Sequence, residues 1–391
     1  MSKRLIPAAI LAILVYGMIA AVLGTLLPDF SRRLAFTDDQ NGTIAFVQSL
    51  GLIIASLSIG PLIDIKGKKF GLVLGLALIT IALFSLAQAN SFNMVAGPML
   101  LLGLGGGMVV TGANALVSDI SPDRRSSTLN LLNLFFGLGG LLTPLIGAYL
   151  FAGNALGLCY LIAALTGATF LVHVATPMPP PTGERGFKLS EAGKLAANPS
   201  LILMSLFLFL YVACEVGVWN WLAKHLVAQG IPEKTALKTL SLGFALGILV
   251  GRVVVSRILI RVSAINVTLA SSVLMAITTW GMLQTNDPVA AGLLVFCAGL
   301  AMAPVFPTTL GMVGDRFPVM TATAIGIAIT CGWIGLAVSS KIIGAIAGND
   351  SGQLKTALLV LPAFSVLMIV VNLLLRVSLR APDVPAGRSH A

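Results

Sequence analysis

Apolar runs of about twenty residues recur along the whole chain, and a helix of that length spans the hydrocarbon of a bilayer. A soluble fold cannot absorb them. With 57% hydrophobic and 10% charged residues in 391, too few polar side chains remain to coat so large a core. The runs are continuous rather than alternating, and Gly and Pro fall inside them, which excludes a transmembrane barrel and predicts an all-α membrane protein.

Spans are expected near 5–27, 42–63, 70–89, 95–118, 127–151, 156–175, 200–223, 237–259, 264–283, 289–312, 321–346 and 354–377, twelve in all. Met1-Ser2-Lys3-Arg4 before Leu5 has the look of a signal peptide, but no small-residue cleavage site precedes Pro28, so the first span is read as retained. The stretch from Thr176 to Pro199 is polar and rich in proline and divides six spans from six. The expected organisation is therefore a bundle at 1–175, a linker at 176–199 and a second bundle at 200–391.

The formal charge of +10 does not point to nucleic acid, because the basic residues sit in short clusters between apolar runs rather than along a stripe. They report topology instead. Of the 24 Lys and Arg residues, sixteen fall on the side of the N-terminus and six on the other, which places both termini in the cytoplasm of a bacterial inner-membrane protein. Cys159, Cys214, Cys297 and Cys331 lie in apolar runs without metal-like spacing and read as small packing residues.

After the second span comes Gly60-Pro61-Leu62-Ile63-Asp64-Ile65-Lys66-Gly67-Lys68-Lys69, and after the eighth a degenerate counterpart, Ser256 to Ser263, without acid or glycine. The first loop resembles the cytoplasmic signature of the major facilitator superfamily, Gly-x-x-x-Asp-x-x-Gly-Arg/Lys-Arg/Lys. Gly67 allows a tight turn, Asp64 can accept hydrogen bonds from helix ends or basic groups, and Lys68 and Lys69 sit at an anionic leaflet. The resemblance implies two pseudo-symmetric six-helix bundles working by alternating access, with Gly60, Asp64, Gly67, Lys68 and Lys69 as a conformational latch.

Four further stretches are similar to the fucose permease and glucose/galactose transporter group: Asn114 through Pro144, Tyr211 through Trp221, Gly247 to Arg252, and Ala303 through Thr308. That likeness implies uptake of a monosaccharide with a proton, or with sodium in some members. The chain departs from the fucose permease in its acids: the first span has none before Asp29, and Val110 stands where that protein has a glutamate.

Glu215 is the one acid placed deep inside a span. A carboxylate in hydrocarbon must be protonated, paired or turned toward water, so it is the candidate proton carrier. Tyr211, Glu215 and Trp219 follow at i, i+4 and i+8 on one helix face, a stripe on which a sugar ring can stack while polar groups meet its hydroxyls. Asn114, Asn130 and Asn133 offer amides that donate and accept at once. Gln48, Asn220, Phe306 and Thr308 complete the expected substrate contacts, the first and last two on family position. The bland alternatives are a carboxylate paired to a neighbouring helix and asparagines spent on interhelical bonds.

Arg252 reads as snorkelling toward the cytoplasmic end or pairing with a loop acid, and Lys341 as snorkelling to the opposite face. His173 and His225 suggest no relay. The run Gly103, Gly105, Gly106, Gly107 and Gly112 lacks the Lys-Ser/Thr of a phosphate loop and reads as helix packing. No catalytic or metal-binding constellation is seen, so neither enzyme activity nor a cofactor beyond the coupling ion is expected. The partners expected are the bilayer and one small polar substrate, with the protein a monomer. Two other readings stand beside the importer: a proton-antiport exporter of amphiphilic compounds or organic anions, and a non-transporting sensor.

Overall fold

The computed structural model describes residues 2–35, 38–151, 154–181, 189–231, 235, 239–285, 287–347 and 354–380, and all secondary structure in them is helical. Helices are α1 (Ser2–Leu34), α2 (Asp38–Lys66), α3 (Lys68–Leu86), α4 (Phe92–Ile120), α5 (Arg125–Tyr149), α6 (Ala155–Ala175), α7 (Leu189–Ala196) and α8 (Pro199–Ala228). They continue as α9 (Leu246–Ile258), α10 (Ala264–Met282), α11 (Pro288–Met302), α12 (Val305–Arg316), α13 (Thr321–Ala347), α14 (Leu354–Leu358) and α15 (Val360–Arg380). A π-helical segment, Thr239–Ala245, runs directly into α9.

Ten segments among the described residues are long and apolar enough to cross a membrane. The spans expected at 127–151 and 237–259 correspond to α5 and to the π segment with α9, which are helical but outside those ten. The helix expected over 289–312 is two pieces, α11 and α12, joined at Ala303-Pro304, where proline denies the continuing helix a backbone donor. The side chain of Lys341, linker residues 182–188 and the tail from 381 lie outside the described set.

Helix starts follow from side chains that accept the first free amides. Asn154 accepts from Leu156 (3.0 Å) and Gly157 (3.3 Å), Asn198 from Ser200 (2.9 Å), and Asp287 from Ala290 (2.7 Å) with Pro288 behind it. Inside the spans, threonine and serine hydroxyls return to the carbonyl four residues back, as Thr80 to Leu76 and Thr166 to Ile162, so the polar groups cost little in an apolar setting.

Between helices, glycine sets the distance. A Cβ on Gly105 of α4 would lie 2.6 Å from the carbonyl oxygen of Gly75 on α3, and one on Gly103 would strike the carbonyl of Gln48 on α2. The glycine run is thus helix packing. The same device returns at a constant offset of 196 residues: Gly51, Gly103 and Gly139 answer to Gly247, Gly299 and Gly335. Gly51 and Gly103 press α2 and α4 together, as Gly247 and Gly299 do for α9 and α11; Gly139 presses α5 on α1, as Gly335 presses α13 on α8. The two parts of the chain therefore repeat their helix crossings as well as their spans.

Candidate substrate site and the closed end

The helix ends carrying Lys66, Arg124 and Arg316 are sealed by bonds between the first six long helices and the later ones. Asp64 at the end of α2 accepts from the Ala322 amide (3.2 Å), the Thr323 amide (2.8 Å) and the Thr323 hydroxyl (2.6 Å). These amides belong to the first turn of α13, where backbone donors have no partner in their own helix and a negative charge is stabilised. Gly60, one turn earlier, lets the backbones touch: a Cβ there would sit 2.6 Å from the Ala322 oxygen.

Arg125 does the converse at the last turn of α12, donating to the carbonyl of Gly314 (2.8 Å) and to Asp315 (2.9 Å) while its Nε holds the Ser118 carbonyl (2.8 Å). Ser127 donates to the Ser256 carbonyl (2.6 Å), and Asn130 to the Thr308 hydroxyl (2.9 Å). Gly67 turns the chain with φ +92°, a conformation open to glycine, and Lys68 pairs with Asp119 at 2.5 Å in a largely buried contact. Lys69 donates to the Val174 carbonyl of α6 (2.6 Å).

Deeper in the bundle, four helices bring polar groups together. Glu215 on α8, partly accessible, has Tyr211 and Trp219 of its own helix beside it and feels the charge of Arg252 on α9. Arg252 is only 3% exposed; its Nη1 donates to the Asn133 carbonyl on α5, and its guanidinium lies 5.7 Å from the centroid of Phe136. Phe136 in turn packs on Tyr16 of α1, centroids 5.3 Å apart, and Trp219 meets Phe244 edge-on at 5.1 Å. The Tyr211 hydroxyl is buried beside Glu215, and the buried Arg252 Nε has no hydrogen-bond partner among the described residues.

Of the residues expected from sequence, Tyr211, Glu215 and Trp219 share this cluster, and Asn133 joins it through its backbone. The asparagine amides are engaged. Asn133 donates to Asn114 (3.0 Å) and Asn114 to the Val110 carbonyl (2.7 Å), while Asn130 and Thr308 bond each other at the sealed end. Gln48 and Phe306 are half-buried and Asn220 is exposed; among the described residues no hydrogen bond places them with Glu215.

The reading of Arg252 as a snorkelling residue is overturned. Its side chain turns into the bundle, where Nη1 donates to the Asn133 carbonyl and lies over Gly137 of α5, at ordinary contact distance (3.4 Å) from where a Cβ would stand. Tyr16 and Phe136 were not singled out either. The signal for Arg252 was its position, since an ionisable residue within a span is a functional candidate by default. The two aromatics carry no such mark in the sequence.

The sequence profile of the Major Facilitator Superfamily matches residues 9–340. Among curated proteins the chain is similar to Bypass of stop codon protein 6 of Saccharomyces cerevisiae, 23% identical over 386 residues, with 88% of this chain and 77% of that one covered. It is also similar to Protein TsgA of Shigella flexneri, 22% identical over 351 residues, covering 87% and 85%. Among solved structures it is similar to the fucose:proton symporter FucP of E. coli, with a TM-score of 0.82 at 17% identity over 95% of this chain and 99% of that one. At that identity the likeness speaks for the fold.

Proposed function

From the premise that this chain belongs to the Major Facilitator Superfamily and is a multi-pass membrane transporter, we propose that it is a proton-coupled importer of a sugar-like, polyhydroxylated molecule. The observation that carries the reading is Glu215, a carboxylate held inside the bundle next to Tyr211 and Trp219. A carboxylate in that position gains or loses a proton according to which side the site faces, and the neighbouring aromatic rings offer flat apolar faces to a sugar.

In this reading two six-span halves joined by the 176–199 linker rock about the site, in a bacterial inner membrane with both termini cytoplasmic. The carrier works as a monomer without a resident cofactor. Asp64 and Arg125 hold the basic end shut while the opposite face admits substrate. Similarity to a fucose:proton symporter supports the substrate class.

The test is uptake of labelled hexoses and hexose derivatives into proteoliposomes under an imposed pH gradient. Acid outside should drive accumulation, and Glu215→Gln should abolish that drive. Uptake indifferent to the pH gradient and unchanged in Glu215→Gln would remove the proton role, and a sodium gradient would then be imposed. The exporter reading is favoured by the interior cation Arg252, and it requires that substrate leave the protein in exchange for protons rather than enter with them.

A further inference from the structure

Arg252 is an unusual investment for a carrier of neutral sugars. It is nearly enclosed, yet its one hydrogen bond among the described residues is from Nη1 to the Asn133 carbonyl. Its Nε–H has no partner among the described residues, and that atom lies on the side-on edge of the guanidinium that binds a planar carboxylate through two parallel hydrogen bonds. No Asp or Glu comes within ion-pairing distance of it among the described residues, and Glu215 acts on it from further away. Packing does not demand the charges. The glycines that set helix contacts recur at an offset of 196 residues, but the positions answering to Glu215 and Arg252 are Ile19 and Ser56.

Resting on the proposed function above, we infer that the substrate carries a carboxylate as well as hydroxyls, that Arg252 receives it side-on, and that Arg252 and Glu215 together enforce transport of one proton per monoanion. The balance is one of charge. Empty, the cluster holds one carboxylate and one guanidinium and is neutral. A proton alone on a Glu215 carboxylate oxygen leaves it at +1; a monoanion alone on Arg252 leaves it at −1; both together restore neutrality.

Uncompensated charge is costly in an enclosed apolar site, so the halves close over the empty and the doubly loaded forms and not over the intermediates. Among the described residues no other charged side chain acts on Glu215; Tyr211 and Trp219 of its own helix and Tyr16 of α1 are the remaining polar neighbours. The buried Tyr211 hydroxyl interacts with Glu215 and is placed to meet a substrate hydroxyl beside that carboxylate.

The experiment compares D-glucuronate and D-galacturonate with D-glucose and D-galactose, by thermal stabilisation of the purified protein and by uptake into proteoliposomes. The uronates should raise the melting temperature and the neutral hexoses should not. Uronate uptake should follow an acid-outside gradient and stay within twofold when a potassium diffusion potential of either sign is imposed.

Arg252→Gln leaves Glu215 alone in the interior and can destabilise the fold, so the deciding variant is Arg252→Gln with Glu215→Gln, neutral like the parent. It should remain folded and lose at least tenfold in uronate affinity. Neutral hexoses that stabilise and accumulate with the proton gradient while uronates do neither would overturn the carboxylate inference and leave the sugar importer standing. Uronate affinity retained in the double variant, or uptake that follows membrane potential, would also overturn it. Failure of both substrate classes would overturn inference and proposed function alike.

Discussion

Asp64 accepts both the backbone amide of Thr323 at 2.8 Å and its hydroxyl at 2.6 Å, so one carboxylate at the end of α2 caps the first turn of α13 from across the bundle. Hydrogen bonds to a charged acceptor contribute ~1.5–3 kcal/mol each, and all three of those made by Asp64 must break if these helix ends are to separate. Asp64→Asn keeps the shape and loses the charge. With the native cysteines replaced, maleimide labelling of a Ser256→Cys reporter, buried in this seam, should run several-fold faster in Asp64→Asn than in its parent. Equal labelling rates would mean that Asp64 does not hold the seam.

The glycines of α4 should respond according to what they face. Gly97 has nothing near its absent side chain, so Gly97→Ala should stabilise by ~0.4–1 kcal/mol through the unfolded chain. Gly103 meets the Gln48 carbonyl, and Gly103→Ala should cost ~1–3 kcal/mol because backbone must move. Melting temperatures of the two variants, displaced in opposite directions, are the check.

Asn133 and Asn114 bond at 3.0 Å inside the bundle. A double-mutant cycle with Asn→Leu at each position, read from unfolding in detergent micelles, should return a coupling of ~0.6 kcal/mol, the average for interhelical hydrogen bonds in a membrane protein, and no more than ~1.7 kcal/mol. A coupling indistinguishable from zero would mean that this bond is not formed in the folded population.

His225 lies one turn beyond the apolar span that ends at Leu222, buried, and its pKa is pushed down to about 4 by burial first and by the charge of Lys355 second. In the unfolded chain it binds a proton near its ordinary 6.5, so the unfolded state takes up more protons between these values. The contribution of neutral His225 is present above pH ~6.5 and is lost as pH falls toward about 4. Melting temperature should decline across that window, and His225→Asn should flatten the decline. An unchanged slope would place the acid sensitivity elsewhere.

The sequence by itself determined the helical membrane fold, because a bilayer forces apolar stretches to satisfy every backbone group internally and that demand is written in local composition. Asp64, Gly67 and the glycine run were legible for the same reason: turn conformation and close approach restrict residue type at single positions. The repeat at an offset of 196 residues was also present in the sequence, but its meaning lay in which helices the glycines press together.

What only the tertiary structure decided is where long side chains go. Arg252 occupies a span position from which it can reach water or the interior, and its interior place is held by the Asn133 carbonyl on another helix, 119 positions away in the chain. The asparagines were equally ambiguous, since an amide that suits a substrate hydroxyl suits a neighbouring amide as well. Their partners, and the company of Tyr16 and Phe136 around Arg252, depend on contacts between helices far apart in sequence. Periodicity names the face a residue lies on, and only packing decides what that face meets.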